Sequence, residues 1–279
     1  FDAVPITSLS VLPVDPVNNV GNYYTYVTGG SWALSTLFES ERYAEQAATD
    51  GGPDPAQYEV GTDLTIAPFV RGMVGYWKFD ELSGPFLEDS SGNNTGTANG
   101  GAVFGSVGKV GRAVTFDGVN DYITMGNNSS LFPSSKIAIA FWTRLSLLPN
   151  GVADFTQHVA GGGSNVFIRT TSGNKINFSL IDGVGWKGVT SNTILTQNQW
   201  YHVVGNYDGG SIKIYINGVS ENTFPASGNI NKGIPFNYFN ISGATGGTTA
   251  RITGLIDDLR LYNRALTNSE IQAMYNATK

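Results

Sequence analysis

Short runs of alternating apolar and polar residues recur from residue 75 to the end of the chain, and most stop at turns rich in Asp, Asn and Gly. In the run from Ser211 to Asn217 the apolar positions are Ile212, Ile214 and Ile216. They would share one face, because successive side chains of a strand point to opposite sides of a sheet. The Asp208-Gly209 pair just before this run favours a tight hairpin turn. Many such strands predict an all-β, two-sheet antiparallel sandwich.

The same pattern predicts one clear helix, at the end of the chain. Thr267 and Glu270 have the spacing of a capping box, in which each side chain satisfies an exposed amide of the first turn. Ile271, Met274 and Tyr275 then fall on one apolar stripe. We expect this short helix to close an end of the sandwich.

The first 70 residues have a different sequence pattern from the rest of the chain. An aromatic, β-prone run from Tyr23 to Val27 and a second run from Ser31 to Glu39 flank a turn, which predicts a small hairpin. The Gly- and Pro-rich stretch from Asp50 to Pro55 then interrupts any regular element. We therefore divide the chain into residues 1–70 and a sandwich domain of residues 71–279.

Composition narrows the choice of partners. The 279 residues are 41% hydrophobic and only 14% charged, with a net charge of −6 and no basic run. Nucleic acid and anionic membrane surfaces are therefore disfavoured as partners. Without cysteine, the chain has no disulfide, thiolate metal site or Cys nucleophile. No stretch reaches the ~18 apolar residues of a membrane span, so direct membrane insertion is not expected. Because the chain starts at Phe1 without a signal sequence, we expect a processed or trimmed product.

Several ordered segments of residues 72–279 carry a resemblance to a known family. They read Gly75-Tyr76-Trp77-Lys78-Phe79-Asp80-Glu81, Asp89-Ser90-Ser91-Gly92-Asn93, Phe116-Asp117-Gly118-Val119-Asn120-Asp121-Tyr122, Trp200-Tyr201-His202-Val203-Val204 and Ile256-Asp257-Asp258-Leu259-Arg260-Leu261-Tyr262. Together they resemble the laminin-G-like, concanavalin A-like lectin/glucanase domains of bacterial surface proteins. The resemblance implies a two-sheet jelly roll, often with a structural Ca²⁺, that recognises carbohydrate or protein.

Calcium is the cofactor that we expect. Ca²⁺ prefers carboxylate and carbonyl oxygens, and Asp80, Asp89, Asn94 and Asp257 supply such groups. In the resembling family the first and last strands are neighbours, which would bring Asp80 close to Asp257. The alternative is ordinary turn chemistry, in which Asp and Asn side chains accept hydrogen bonds from nearby amides.

A second, fainter likeness concerns residues 9–66, which resemble the C-terminal part of bacterial type IV pilins and pseudopilins. The segments that carry it include Leu12 to Pro16, Tyr23 to Val27 and Tyr58 to Asp63. The hydrophobic assembly helix and the processing site of that family are absent from this sequence. The likeness implies a pilin-like subunit that carries a recognition domain, with pilus or pseudopilus subunits as possible partners.

Catalysis is the less favoured reading of the sandwich. A retaining glycosidase needs two carboxyl groups about 5–5.5 Å apart, and the Glu-x-Asp-x-x-Glu pattern of the related glucanases is absent. The glutamates of the sandwich, Glu81, Glu88, Glu221 and Glu270, have no acidic strand partner at suitable spacing. Of the two histidines, His202 lies in an aromatic strand typical of the core.

Sugar recognition usually needs an exposed aromatic ring with polar groups around it. Trp186 stands in a glycine-rich segment that predicts a loop, and Arg169, Asn177 and Tyr215 are outward-facing positions on predicted strands. Lys213 and Asn217 share the face of Tyr215. Each position is also compatible with a solvated face or a packing role.

From these observations we predict a non-catalytic, extracellular recognition module on a bacterial cell-surface or pilus-like protein, stabilised by calcium. Its expected partners are a glycan or a cell-surface protein. A structural pilus-type subunit with a decorative sandwich and a glycoside hydrolase remain the alternatives.

Overall fold

The computed structural model describes residues 71–279 apart from 93, 161–162, 183–184, 231–235 and 244–249, together with the backbone of three strands among the first 70 residues. The chain divides into two compact units, Phe1–Phe69 and Val70–Lys279. In the first unit β1 (Thr25–Thr28), β2 (Trp32–Thr36) and β3 (Tyr58–Gly61) form an antiparallel sheet in that order. The pairing of β1 with β2 confirms the predicted hairpin. The remaining segments that carry the pilin-like resemblance lie outside the described residues.

The second unit contains two antiparallel sheets. The strands of the first sheet are β4 (Met73–Trp77), β7 (Val103–Val107), β8 (Arg112–Asp117), β10 (Ile137–Leu147), β15 (Trp200–Tyr207), β16 (Ser211–Ile216), β17 (Val219–Pro225) and β19 (Thr253–Tyr262). Those of the second sheet are β5 (Phe86–Leu87), β6 (Gly96–Asn99), β9 (Tyr122–Thr124), β11 (Asp154–Ala160), β12 (Gly163–Thr170), β13 (Lys175–Ile181), β14 (Trp186–Ile194) and β18 (Phe236–Ile241).

The first sheet runs in the order β17-β16-β15-β10-β19-β8-β7, and β4 also pairs with β19. The second runs β14-β13-β12-β11-β18-β9-β6-β5. The two central strands of the first sheet, β10 and β19, come from distant parts of the chain. The predicted sandwich is therefore confirmed.

The core lies between the two sheets and is built by the alternation seen in the sequence. Ile212 and Ile214 on β16 are fully buried, as are Phe178 and Leu180 on β13 of the opposite sheet. Strands β15 and β16 pair antiparallel around the turn at Asp208, as predicted. Residues that point away from the core on each strand therefore form the two outer faces of the sandwich.

At one place the sheets approach so closely that only glycine fits. Gly205 on β15 faces the core, and a Cβ atom there would lie 2.7 Å from the ring of Phe178 and 3.0 Å from the Cδ1 atom of Ile168. Normal carbon contacts are about 3.5–4.0 Å. The missing side chain therefore lets the ring of Phe178 pack directly against the backbone of the opposing sheet.

The C-terminal helix α1 (Asn268–Thr278) begins at the predicted capping box, with Thr267 as its N-cap and Glu270 completing the pair. Its position differs from our expectation. It covers the outer face of the first sheet instead of an end of the sandwich: Trp142 Nε1 donates to Thr278 Oγ1 at 2.9 Å. Within the described residues, no helix has the length and apolar character needed to cross a membrane.

Candidate functional site

Three of the four predicted ligand-binding residues lie on the outer face of the second sheet. Arg169 on β12 is directly opposite Asn177 on β13, and Trp186 on β14 is opposite Ile181. The residues between them on the same strands, such as Ile168 and Phe178, point into the core and are fully buried. The alternation of the sequence thus correctly placed Arg169 and Asn177 outward.

Trp186 provides an open aromatic surface on this face. It is the first residue of β14 and not part of a loop, which corrects the prediction. Half of its side chain (50%) is exposed, and its ring centroid lies 4.9 Å from that of Phe167. Because Phe167 belongs to β12, the indole reaches across β13. Gly188 on β14 packs closely on β13, since a Cβ atom there would collide with Ser179 Oγ.

Arg169 contacts the aromatic pair on one side and forms an ion pair with Asp154 on the other. The guanidinium of Arg169 stacks 3.4 Å from the ring centroid of Phe167, and Arg169 Nε lies 2.9 Å from Asp154 Oδ1. That contact is an ion pair without hydrogen-bond alignment. Trp186, Phe167, Arg169 and Asp154 therefore form a continuous row across β14, β12 and β11, which we call the Trp186–Asp154 row.

Asp154 is the electrostatically unusual member of the row. Only 4% of it is exposed. Burial raises the pKa of its carboxyl to about 6, and the positive charges of Arg169 and Arg251 oppose this shift. The guanidinium of Arg251 also stacks 4.6 Å from the ring centroid of Tyr122 on β9. This buried carboxyl is thus flanked by two cations, Arg169 and Arg251, each stacked on an aromatic ring.

Sequence reasoning missed Phe167 and Asp154. Val166 and Ile168 are core positions of β12, and Phe167 lies between them, so the sequence contained a signal for an outward-facing aromatic. For Asp154 no local signal exists, because its role depends on pairing with Arg169 on a neighbouring strand.

Asn177 is on the correct face but its amide is already in use. Asn177 Nδ2 donates to Thr190 Oγ1 at 3.0 Å and to the Val189 carbonyl at 3.1 Å, while its Oδ1 accepts from Ser179 Oγ at 2.6 Å. These bonds tie β13 to β14. Asn177 therefore shapes the floor beneath Trp186, and its amide is not free for a ligand.

Tyr215 does not belong to this site, which corrects the prediction. It lies on β16 of the first sheet and points outward, as expected, but α1 covers it. Only 1% of it is exposed, and its hydroxyl donates to Asn268 Oδ1 at 2.7 Å. A periodicity argument shows which face of a strand a residue occupies, but not whether another element packs on that face.

Of the predicted metal ligands, Asp89 and Asn94 perform turn chemistry. Asp89 Oδ1 accepts from the Tyr76 amide at 2.8 Å and the Ser91 amide at 2.9 Å, and Asp89 Oδ2 accepts from the Asn94 amide at 3.0 Å. Asn94 Nδ2 donates to the Val74 carbonyl at 2.7 Å. These side chains fasten the loop that follows β5 to β4, the alternative left open by the sequence.

Asp80 and Asp257 lie together elsewhere, beneath the turn between β7 and β8. Asp257 is fully buried. Its Oδ2 accepts from the amides of Lys109 and Val110 at 2.7 and 2.8 Å, while its Oδ1 has no hydrogen-bond partner. Burial, together with the nearby charges of Asp258 and Asp80, raises the pKa of Asp257 to about 7.

The four predicted ligands do not converge on one site. Strand β4 pairs with β19 on one side and, through Trp77, with Asp89 on the other. Asp89 is therefore about two strand spacings, roughly 9–10 Å, from Leu259 on β19, and Asp257 lies two residues away from Leu259 along that strand. Among the described residues, no cluster of three or more His, Cys, Asp or Glu side chains could hold a metal ion. Of the four predicted ligands, Asp257 is the one with a buried oxygen that has no hydrogen-bond partner.

Two of the four glutamates of the sandwich, Glu221 and Glu270, have structural roles. Glu221 Oε2 accepts from the amides of Asn192 and Thr193 at 2.7 and 3.0 Å, which joins β17 to β14. Glu270 caps α1 and forms an ion pair with Arg264 at 2.5 Å.

The fold agrees with the comparisons. Residues 117–272 match the laminin-G type of the concanavalin A-like lectin/glucanases superfamily. The chain belongs to that superfamily, which confirms the resemblance for the sandwich. A search of curated protein sequences finds no match.

Solved structures share the fold at low sequence identity. Domain 4 of AbnA, a GH43 extracellular arabinanase from Geobacillus stearothermophilus in complex with arabinotriose, is 23% identical with a TM-score of 0.58, and the match covers 73% of this chain and 98% of that domain. A structure of botulinum neurotoxin type C, whose cell entry depends on two ganglioside molecules, is 18% identical with a TM-score of 0.58. That match covers 75% of this chain and 52% of the neurotoxin chain. The Trypanosoma rangeli sialidase is 17% identical with a TM-score of 0.57, and its match covers 74% of this chain and 33% of the sialidase chain. This chain thus spans about half of the toxin structure.

Proposed function

We propose that the second unit is a non-catalytic carbohydrate-binding module and that the glycan lies on the outer face of the second sheet. The observation that carries the proposal is the Trp186–Asp154 row. A half-exposed indole offers a flat apolar surface for the C–H face of a sugar ring. The adjacent guanidinium of Arg169 supplies charged donors for hydroxyl groups, which give stronger hydrogen bonds than neutral ones, and the buried carboxylate of Asp154 holds that guanidinium in place.

The similar structures support this reading by what they bind. The arabinanase domain was solved with arabinotriose, and the neurotoxin is described with gangliosides. At this level of identity they show only the shared fold, so the type of glycan is a matter for experiment. An extracellular or cell-surface location on a bacterium is part of the proposal, as is attachment to a pilus-like or other surface protein through the first unit.

The first experiment compares glycan binding of the whole chain and its Trp186→Ala variant on a glycan array and by affinity electrophoresis in polysaccharide gels. We expect at least about tenfold weaker binding, since stacking and charged hydrogen bonds contribute a few kcal/mol together. Phe224→Ala is the matched control, because Phe224 is an exposed aromatic (42%) on β17 of the other sheet. Equal binding by wild type and Trp186→Ala would sink the proposed face, and release of reducing sugar from the bound polysaccharide would show a hydrolase instead.

We further propose that calcium binds at the Asp80–Asp257 pair. One observation supports this placement: the buried Asp257 Oδ1 has no hydrogen-bond partner and lies near the charge of Asp80. The two carboxylates would hold the cation, whose charge would offset their repulsion.

Thermal melts in millimolar calcium and in chelator test this placement. We expect calcium to raise the melting midpoint of the wild type by a few degrees, because a ligand that binds only the folded state stabilises it. The shift should vanish in Asp257→Asn and persist in Asp117→Asn, whose exposed turn carboxylate accepts only local amides. Superimposable melts of the wild type with and without calcium would remove the metal from the proposal.

A further inference from the structure

Two positive charges lie against aromatic rings on the outer face of the first sheet, next to α1. The guanidinium of Arg144 lies 5.4 Å from the ring centroid of Trp200, the residue directly opposite it on β15. Lys109 Nζ, from the turn between β7 and β8, lies 5.0 Å from the ring centroid of Trp142. Trp142 and Arg144 are two residues apart on β10 and therefore share a face. The two cations thus stand side by side on one surface.

The end of α1 adds a third cation beside them. The ring centroids of Tyr275 and Trp142 are 5.7 Å apart, and Lys279 Nζ lies 5.8 Å from the ring centroid of Tyr275. We call Lys109, Arg144 and Lys279 the cationic patch. Because the chain as a whole has a net charge of −6, this grouping of positive charge is local.

The charge of the patch is not neutralised by ion pairs. Within the described part of the chain, Lys109, Arg144 and Lys279 form no ion pair, and Arg144 Nε is buried without a hydrogen-bond partner. One acid lies close, since Asp257 accepts from the backbone amide of Lys109. It is fully buried, and its pKa of about 7 leaves it mostly uncharged below neutral pH. The calcium ion proposed for Asp257 and Asp80 would offset the charge of both.

A partly apolar strip leads from Arg144 to the edge of the sheet. Leu255 on β19 is opposite Arg144, and Thr115 on β8 is opposite Leu255. Val103 on β7 is in turn opposite Thr115, and 57% of it is exposed. Residues in register on neighbouring strands share a face. An extended ligand on this strip would have cations at one end and an exposed apolar side chain at the other.

The separation of the charges favours an acidic polysaccharide. A polymer of uronic acids carries a carboxylate on each sugar, so it can meet cations on neighbouring rings one at a time. The planar guanidinium of Arg144 suits a carboxylate, which it can bind through two parallel hydrogen bonds. A protein partner would instead favour an interface core that is depleted of charge. Nucleic acid is disfavoured by the negative net charge and the lack of a basic run.

We infer that the cationic patch binds the carboxylates of an acidic polysaccharide. The inference rests on the proposed function only in the choice of a polysaccharide, because the patch lies on the other sheet from the Trp186–Asp154 row.

The test measures the binding of polygalacturonate and of its methyl ester, the same backbone without charge, to the whole chain by isothermal titration calorimetry. Lys109→Met and Arg144→Met each remove one charge and keep an apolar stem. Lys136→Met is the matched control, since Lys136 is an exposed lysine just before β10, at the far end of that strand from Arg144. The melting midpoint of each variant shows whether it folds. Titrations in sodium chloride from about 0.05 to 0.3 M test the part played by charge.

We expect polygalacturonate to bind more tightly than its methyl ester and to bind more weakly as salt is added. Binding should be about fivefold to tenfold weaker in Lys109→Met and in Arg144→Met and unchanged in Lys136→Met. Each of the following would overturn the inference: no binding of polygalacturonate, equal binding of the ester, wild-type binding by both patch variants, or an equal loss in Lys136→Met. Tighter binding of polyglutamate or duplex DNA with the same dependence on Arg144 would assign the patch to a protein or nucleic acid instead.

The proposed function is judged separately, by the dependence of neutral polysaccharide binding on Trp186. If that dependence holds while polygalacturonate fails to bind, only the cationic patch is lost. If polygalacturonate binds through Lys109 and Arg144 while neutral polysaccharides bind equally with and without Trp186, only the proposed face of the second sheet is lost.

Discussion

Acidic side chains in this domain act mainly on nearby backbone amides. Asp208 is the clearest case: burial alone would raise the pKa of its carboxyl, but hydrogen bonds from the amides of Gly210 and Ser211, the Ser211 hydroxyl and Lys213 hold it at about 2. Asp89 accepts three amides in the same way. Residue type alone did not separate this role from metal binding, because the same oxygens serve both.

Asp154 differs, since its pKa of about 6 places its ionisation in a physiologically accessible range. We predict that glycan binding is weaker at about pH 5 than at about pH 7, because only the ionised carboxylate attracts Arg169 and holds its guanidinium in place for the glycan. Binding measured by affinity electrophoresis across this range should follow the ionisation of one group. In Asp154→Asn the binding should be weak and independent of pH; a variant that keeps the wild-type pH profile would contradict the assignment.

Strands and helix were largely predictable, whereas what packs on them was not. The alternation on β13 and β16 assigned their core faces correctly, and the capping box located the first turn of α1. Those signals span only a few residues. The position of α1 on the outer face of the first sheet depends on contacts such as Trp142 with Thr278, across more than a hundred residues.

The close approach of the two sheets gives a prediction at the level of the strands. Gly205→Ala should lower the free energy of unfolding by about 1–3 kcal/mol, because the added methyl group must displace the ring of Phe178 from a packed core. Gly173→Ala is the control: it lies in the β12–β13 turn, where the nearest atom to an added Cβ is 3.9 Å away. Urea denaturation of both variants measures the difference. Equal stability of the two would show that the core accommodates the methyl group.

Across the whole molecule, buried aspartates and buried histidines have opposite effects on the free energy of unfolding as the pH changes. Burial lowers the pKa of His158 to about 4 and of His202 to about 3, and it raises the pKa values of Asp154 and Asp257. Between about pH 4 and pH 6.5 the unfolded chain binds the extra protons at the histidines, so their contribution to stability falls as the pH falls. The two carboxyls bind extra protons in the folded state, so their contribution rises as the pH falls.

Replacement of one histidine should change the pH dependence of the unfolding free energy, because it removes one of the two opposing contributions. His202 packs 5.2 Å from the ring of Trp142 and is 1% exposed, so Phe is a suitable replacement. Relative to wild type, His202→Phe should gain about 2–3 kcal/mol of unfolding free energy between about pH 7 and pH 4.5, because the unfolded chain loses a site that binds a proton there. Denaturant titrations at both pH values measure the gain. Parallel pH profiles for wild type and variant would show that His202 is not held neutral by burial.

The sequence by itself determined the class of fold, the main strands, the hairpin at Asp208 and the capped C-terminal helix, because these follow from local alternation and local hydrogen bonding. It also placed Trp186 and Arg169 among the candidates for binding. Only the tertiary structure decided that these two residues share a row with Phe167 and Asp154, that α1 buries Tyr215, and that β4 separates Asp89 from Asp257. The physical reason is that strand neighbours in this sandwich are far apart in the chain, as with β10 and β19, so no short-range pattern records which side chains meet.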